Sequence, residues 1–326
     1  MRTGKELILS TKPFATENRA LSWWHTLSTL FLLAGLLTLT LLDIHPAIRI
    51  AASLLSGLVI VRFFVIYHDY QHRAILHKSP VAKFIFTVFG MFILTPPSIW
   101  KRSHDYHHNH NSKLFSAGIG SYPIFTKEKF LKSSSSERFF YLFIRHPLTI
   151  LFGYFTIFIF GMCVASFLSS PRRHFDSLIS LVLHVALTVC VIVFLGWQSW
   201  LFFILIPFMI STAMGAYLFY AQHNFPGATF KENIEWSYDN AALESSSFMV
   251  MNPFWHWVTA NIGYHHIHHI NSRIPFYRLP EVYREIPEMQ KAKTTSLWPG
   301  EIIRCFRLKV WDPAQNRMIS KKEIFG

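Results

Sequence analysis

Residues 47–72 read AIRIAASLLSGLVIVRFFVIYHDYQH, an apolar run that passes without a break into His68-Asp69-Tyr70-Gln71-His72. A helix needs about 20 apolar residues to cross a bilayer core, and 47–67 meets that length. Its two charges, Arg49 and Arg62, are expected near the ends, where long cationic side chains reach the headgroups. His68 and His72 then fall on the first polar turns beyond the lipid. Four positions apart, they share one helical face. An HxxxH pattern alone is weak evidence for a metal site.

Two further clusters change its weight. His104-Asp105-Tyr106-His107-His108 and Gly263-Tyr264-His265-His266-Ile267-His268-His269 both place imidazoles at i, i+3 and i+4. That spacing collects His104, His107 and His108 on one face, and His265, His268 and His269 on another. His110 and His266 fall off these faces. His110 is expected at the surface or behind a ligand, and His266 is expected to point outward. His45, in the turn Asp43-Ile44-His45-Pro46, reads as a turn residue.

The composition fits a membrane chain. Of 326 residues, 51% are hydrophobic and 17% aromatic, and only 15% are charged, against about 25% charged in soluble domains. The formal net charge of +13 is read as Lys and Arg meeting anionic headgroups, not as a nucleic-acid footprint. The three cysteines, Cys163, Cys190 and Cys305, form no CxxC pair and encode neither a thiolate zinc site nor an iron–sulfur cluster. Cys163 and Cys190 are expected to be small core residues.

Residues 21–42 give a first span, opened by Trp23 and Trp24, and 47–67 the second. The apolar stretch 82–100 contains Thr95-Pro96-Pro97. Crossing the membrane there would separate the first two histidine clusters, so it is expected to dip in and return. Of the later stretches, 178–195 and 201–220 are expected to form a spanning hairpin and 148–168 to be re-entrant. Lys101, Arg102, Lys113, Lys127, Lys129, Lys132, Arg138 and Arg145 follow the second span, whereas 43–48 holds no Lys or Arg. The positive-inside rule places the clusters in the cytoplasm. The expected fold is an all-α integral membrane protein with about four transmembrane helices, re-entrant or interfacial segments and a cytoplasmic histidine-rich cap. One domain covers 1–326, with a cytoplasmic N-terminal segment at 1–20 and a basic cytoplasmic C-terminal segment at 281–326.

Neutral imidazole suits iron, copper, nickel and zinc. The three clusters supply eight donors, too many for one structural zinc and suited to two metals with open positions. His223, in Tyr220-Ala221-Gln222-His223-Asn224-Phe225, lies just past the last span and reads equally well as a ninth ligand or an interfacial histidine. Asp69 and Asp105 adjoin cluster histidines and read either as acceptors orienting imidazoles or as solvated charges. A metal transporter would carry its histidines inside the bilayer, whereas these begin where the spans end.

In order and spacing, the motifs HDxxH, HDYHH and HHIHH resemble those of the membrane fatty acid desaturase family, over about residues 67–279. Phe219-Tyr220-Ala221-Gln222-His223-Asn224-Phe225 and the segment from Asn261 to His269 are similar to the acyl-lipid branch with its omega-6 (Δ12) and omega-3 enzymes. That branch often has Cys-Gly where this chain has Tyr70-Gln71. The resemblance implies a centre of two non-haem iron ions and a fatty acyl lipid substrate. It also implies O2 as co-substrate and two electrons per turnover. His223 joins the implied ligands, because related enzymes place an extra histidine at the end of the last span. No His-Pro-Gly-Gly haem signature appears, so a separate electron donor, a ferredoxin or cytochrome b5, is expected. Related di-iron hydroxylases and carotenoid-modifying oxidases share such ligands and stay open as alternatives, as does a non-catalytic metal-binding or transport protein.

Overall fold

The computed structural model describes residues 2–114, 120–232 and 234–325. Four of its helices are long and apolar enough to cross a membrane: α1 (Arg19–Leu41), α2 (Pro46–Gln71) and, later in the chain, α5 (Phe175–Leu195) and α6 (Trp197–Ala221). Among the shorter helices between α2 and α5 are α3 (Pro80–Phe92) and α4 (Pro97–His110).

Side-chain caps start the first two spans. The Asn18 side chain accepts the Leu21 N–H (3.1 Å) at the start of α1, and the His45 ring accepts that of Ala47 (3.2 Å) before α2. Both satisfy amide groups that a helix N-terminus leaves without partners. His45 is the turn residue expected of it. Pro46 takes the first position of α2, where its missing N–H costs nothing.

α2 is the central span. In its apolar window 67% of residues are buried, against 17% in α5. α1 and α6 pack along it, and Gly57 lets α6 approach closely, since a Cβ there would meet Ile210 at 2.8 Å. Such close helix contacts, made at small residues, hold bundles together where lipid supplies no hydrophobic drive. Arg62 does not reach the headgroups as expected. It is buried and donates to Thr29 Oγ1 (3.2 Å) and the Trp257 carbonyl, with its guanidinium 4.6 Å from the Trp257 ring centre. Cys163 is buried, but Cys190 is exposed on α5 and belongs to the outer, apolar face of that helix, not to the core.

The stretch containing Thr95-Pro96-Pro97 is bent by 93° between α3 and α4. Leu94 takes φ +59° at the corner, and Pro97 begins the new helix. α3 leaves from just beyond the first histidine cluster, and α4 ends in the second. The bend therefore returns the chain to the end it left. Residues Tyr154–Ser169 form a shorter apolar helix, wound largely as a π-helix. The α5–α6 hairpin turns at Gly196, whose φ of +82° favours glycine.

Beyond α6 the chain builds a cap of short helices with two small sheets, a parallel pair (Phe248–Val250 with Thr294–Ser296) and an antiparallel hairpin (Leu308–Asp312 with Arg317–Ser320). The N-terminal residues strap across it. Arg2 pairs with Glu288 (2.8 Å), Thr11 accepts from Asn271 (3.0 Å), and Glu17 accepts the Leu76 N–H (2.6 Å).

α4 is tied to the α5–α6 hairpin at its first turn. Asp176 accepts from both the Ser98 N–H (2.9 Å) and the Ser98 hydroxyl (2.5 Å). Replacing Asp176 with Ala leaves that N–H without a partner and is expected to cost about 0.5–2 kcal/mol, as for other lost helix caps. Thermal unfolding in detergent should show the lowered midpoint.

Candidate metal centre

Helix ends deliver the site. α2 ends at His68 and His72, α4 carries His104, His107 and His108, and a one-and-a-half-turn helix, His265–Ile270, carries the third cluster. His223 follows the end of α6, one residue past its capping Gln222. Nine imidazoles converge in two groups. His68, His72, His104, His108 and His268 form the first, and His107, His223, His265 and His269 the second, with the donor atoms of each group all within 4.8 Å of one another. Each of the nine predicted ligands is in one of the groups.

The i, i+3, i+4 spacing sorts ligands between them. In the second cluster, His104 and His108 go to the first group and His107 to the second. In the third, His265 and His269 go to the second group and His268 to the first. Residues at i and i+4 lie nearly above one another on a helix, and i+3 leans to the opposite side of that line. Two helices of this pattern therefore bracket two positions.

Whether these residues suit a metal can be tested on the ring nitrogens. In the first group Nε2 atoms meet at 2.9 Å (His68–His104), 3.0 Å (His104–His108) and 3.1 Å (His108–His268). The second group repeats this at 3.0 Å (His107–His223), 2.9 Å (His223–His265) and 3.1 Å (His265–His269). A single ring nitrogen either donates or accepts. His104, His108, His223 and His265 each have two such neighbours, so hydrogen bonding cannot satisfy every contact, whereas a cation between the lone pairs can. With metal–nitrogen bonds of about 2.1 Å, donors at right angles lie about 3.0 Å apart and tetrahedral ones about 3.4 Å. The observed spacing matches the former and suits a metal of higher coordination number than structural zinc.

Protonation follows burial. Removal from water, reinforced by neighbouring imidazoles, holds His72, His104, His107, His108, His265, His268 and His269 well below the ordinary imidazole range. Burial pushes His223 down to about 4. The neutral, metal-binding form is thus the resident one. Two rings have their far nitrogen anchored. His68 Nδ1 lies 3.3 Å from Asp69 Oδ1, and His223 Nδ1 donates to the Ser245 carbonyl (3.0 Å). The other Asp69 oxygen accepts the Phe276 N–H (2.6 Å), tying the first cluster to the segment after the third.

Asp105 is not brought to the imidazoles. It pairs with Lys101 (2.8 Å) on the half-exposed side of α4, so its reading as an orienting acceptor gives way to that of a solvated charge. His110 stacks on Tyr106 (3.8 Å), outside both groups. His266 lies outside them too but does not point outward. It is fully buried and donates to the Met289 carbonyl (3.1 Å), bracing the cap.

Two rings at the centre escaped the sequence reading. Trp100 stacks on His104 (4.6 Å), and Phe219 packs edge-on to His107 (4.9 Å). Each stands four residues before a predicted ligand, His104 or His223, and that spacing would have found them.

The sequence profile of fatty acid desaturases matches residues 44–300, a span that includes every histidine of both groups. The chain belongs to the fatty acid desaturase family. A Bacillus subtilis fatty acid desaturase is 28% identical to this family member over 324 residues, 98% of this chain and 91% of the relative. The sn-1 oleoyl-lipid 12-desaturase of a Synechocystis species is 24% identical over 72% of this chain and 66% of its own length. A chloroplastic omega-6 fatty acid desaturase of Glycine max is 26% identical over 72% of this chain and 55% of its own.

The two aspartates of the desaturase should separate by metal content. Asp69→Asn replaces the carboxyl group that braces His68 Nδ1 and is expected to weaken metal retention about 10–100-fold, whereas Asp105→Ala leaves it unchanged. Acid should act on the same rings. Their lowered values mean that the unfolded chain binds more protons, so stability falls as pH drops below about 6.5, the ordinary imidazole value. Unfolding midpoints of the metal-free protein at pH 7.5 and 5.5 should show that fall.

Proposed function

We propose that the chain introduces a cis double bond into the acyl chain of a membrane lipid, using O2 and two electrons. The observation that carries this reading is the pair of all-imidazole groups at the end of the spans. In this reading two non-haem iron ions are held, one by His68, His72, His104, His108 and His268, the other by His107, His223, His265 and His269. The printed names of two relatives, an oleoyl-lipid 12-desaturase and an omega-6 desaturase, support an acyl-lipid substrate.

The reaction takes two hydrogens from adjacent methylenes. With these, two electrons and two protons, O2 is reduced to two waters. Bound iron supplies an oxidant for an unactivated C–H bond, chemistry beyond any side-chain acid or base. The protein's own residues do the rest. The packing holds the nine rings in place, and burial keeps His223 and the seven strongly shifted rings neutral. Asp69 and the Ser245 carbonyl fix the tautomers of His68 and His223, leaving Nε2 free to bind. Trp100 and Phe219 present apolar faces to the centre, where an alkyl chain packs and bulk water is excluded.

The electrons come from a separate carrier, a ferredoxin or cytochrome b5, and the positive balance of the chain suits docking of an acidic one. By the positive-inside rule, the basic segments support a cytoplasmic position for the centre.

Expression in a host of defined lipids, followed by mass spectrometry with double-bond location, tests the reading. A new cis double bond in lipid-linked acyl chains is expected, and His268→Ala should abolish it. A new hydroxyl in its place would move the assignment to the related hydroxylases.

A further inference from the structure

Of the nine converging imidazoles, His223 has the least local support. The other eight belong to clusters in which one helix presents two or three rings. His223 stands alone past the end of α6, yet it is central to the second group, meeting both His107 and His265 at 2.9–3.0 Å. That group draws nothing from the first cluster, so His223 fills the place that His68 and His72 take in the other.

Its turn is held from both sides. Before it, Gln222 Nε2 donates to the Ile262 carbonyl (2.9 Å), and the Gln222 carbonyl accepts the Ser247 N–H (3.0 Å). After it, Asn224 Nδ2 donates to the Cys305 carbonyl (2.7 Å), and Asn224 Oδ1 accepts from Arg145. Arg145 is fully buried. Its other terminal nitrogen donates to the Pro123 carbonyl (3.0 Å), and its guanidinium lies 5.4 Å from the Tyr141 ring centre and 5.2 Å from that of Tyr220. No carboxylate among the described residues pairs with it. Arg145, Asn224 and His223 line one narrow crevice.

A guanidinium buried without a counter-charge is costly, so a side chain that merely filled this space would be apolar. A planar fork with donors in fixed directions does something else. It locks a carbonyl and an amide into one geometry, which a single flexible ammonium cannot do. We propose that Arg145 is a positioning residue for the second metal group: through Asn224 it fixes the turn that aims His223 at His107 and His265. The proposal rests on the two-metal reading above. Removing the fork frees the turn after α6, and the second group falls from four donors to three, while the first keeps all five.

The test is iron content and release, measured on detergent-purified full-length protein loaded anaerobically with Fe(II). Wild type should hold two irons per chain. Arg145→Met and Asn224→Ala should each weaken one iron about 10–100-fold, the effect of losing a partner behind a ligand, while the other iron is held as in wild type. Arg145→Lys should fall between. The weakened iron should match the one lost in His269→Ala and differ from the one lost in His72→Ala. Two irons released at wild-type rates from both Arg145→Met and Asn224→Ala would overturn the proposal. So would equal loss of both irons with a lowered midpoint, which marks a brace of the whole fold. If Arg145→Met does not fold, Asn224→Ala decides alone. A wild type holding fewer than two irons would overturn the two-metal reading itself, and this proposal with it.

Discussion

Nine imidazoles gathered into two groups, eight of them buried and meeting nitrogen to nitrogen, set the terms for the rest of the structure. Six Nε2 contacts of 2.9–3.1 Å point lone pairs at one another. Buried polar atoms without partners cost a few kcal/mol each, so an empty arrangement of this kind opposes folding. A cation reverses the sign, because metal affinity becomes folding free energy when the site exists only in the folded chain. The scaffold must therefore hold rings from α2, α4, the turn after α6 and a short cap helix within a fraction of an ångström before a metal arrives.

Rigid helices ending at one level meet that demand. α2, the most buried span, is also the one that carries the first cluster, so the innermost ligands sit on the element least free to move. The bend at Thr95-Pro96-Pro97 is the second requirement. A straight helix running on from residue 80 would carry His104 about 36 Å from its starting point, at about 1.5 Å per residue. Instead His104 touches His68. Asp176 then pins the first turn of α4 to the start of α5, and the N-terminal strap ties Glu17 to the turn after the first cluster.

Much of this was legible in the sequence because it is periodic. Spans are apolar runs of fixed length, and a shared helical face is a spacing, so the long helices and eight of the converging histidines could be read from residue order, while His223 came only with the family resemblance. The Pro-Pro break had a local cause and was legible for that reason. What was hidden depends on who sits across from whom. Nothing near Arg62 announces that Thr29 and the Trp257 carbonyl will hold it inside, and nothing near His266 announces the Met289 carbonyl. Asp69 and Asp105 occupy equivalent places beside a cluster histidine, yet only Asp69 faces the Phe276 amide, while Lys101 one turn back claims Asp105. The short strands at 248–250 and 294–296 pair across more than forty residues, beyond the reach of any local pattern.

The two imidazole groups are consequently not equivalent. The first has five imidazoles and a buried carboxylate, Asp69, against His68. The second has four imidazoles and, behind the turn of His223, a buried guanidinium with no acid paired to it among the described residues. Neither group contains a carboxylate donor, so the charge of a bound cation would be spread over neutral rings alone. An arrangement built from repeated motifs on matched helices thus becomes unequal at its two ends. The asymmetry comes from the parts that do not repeat: the first cluster on one side, and His223 with its supports on the other.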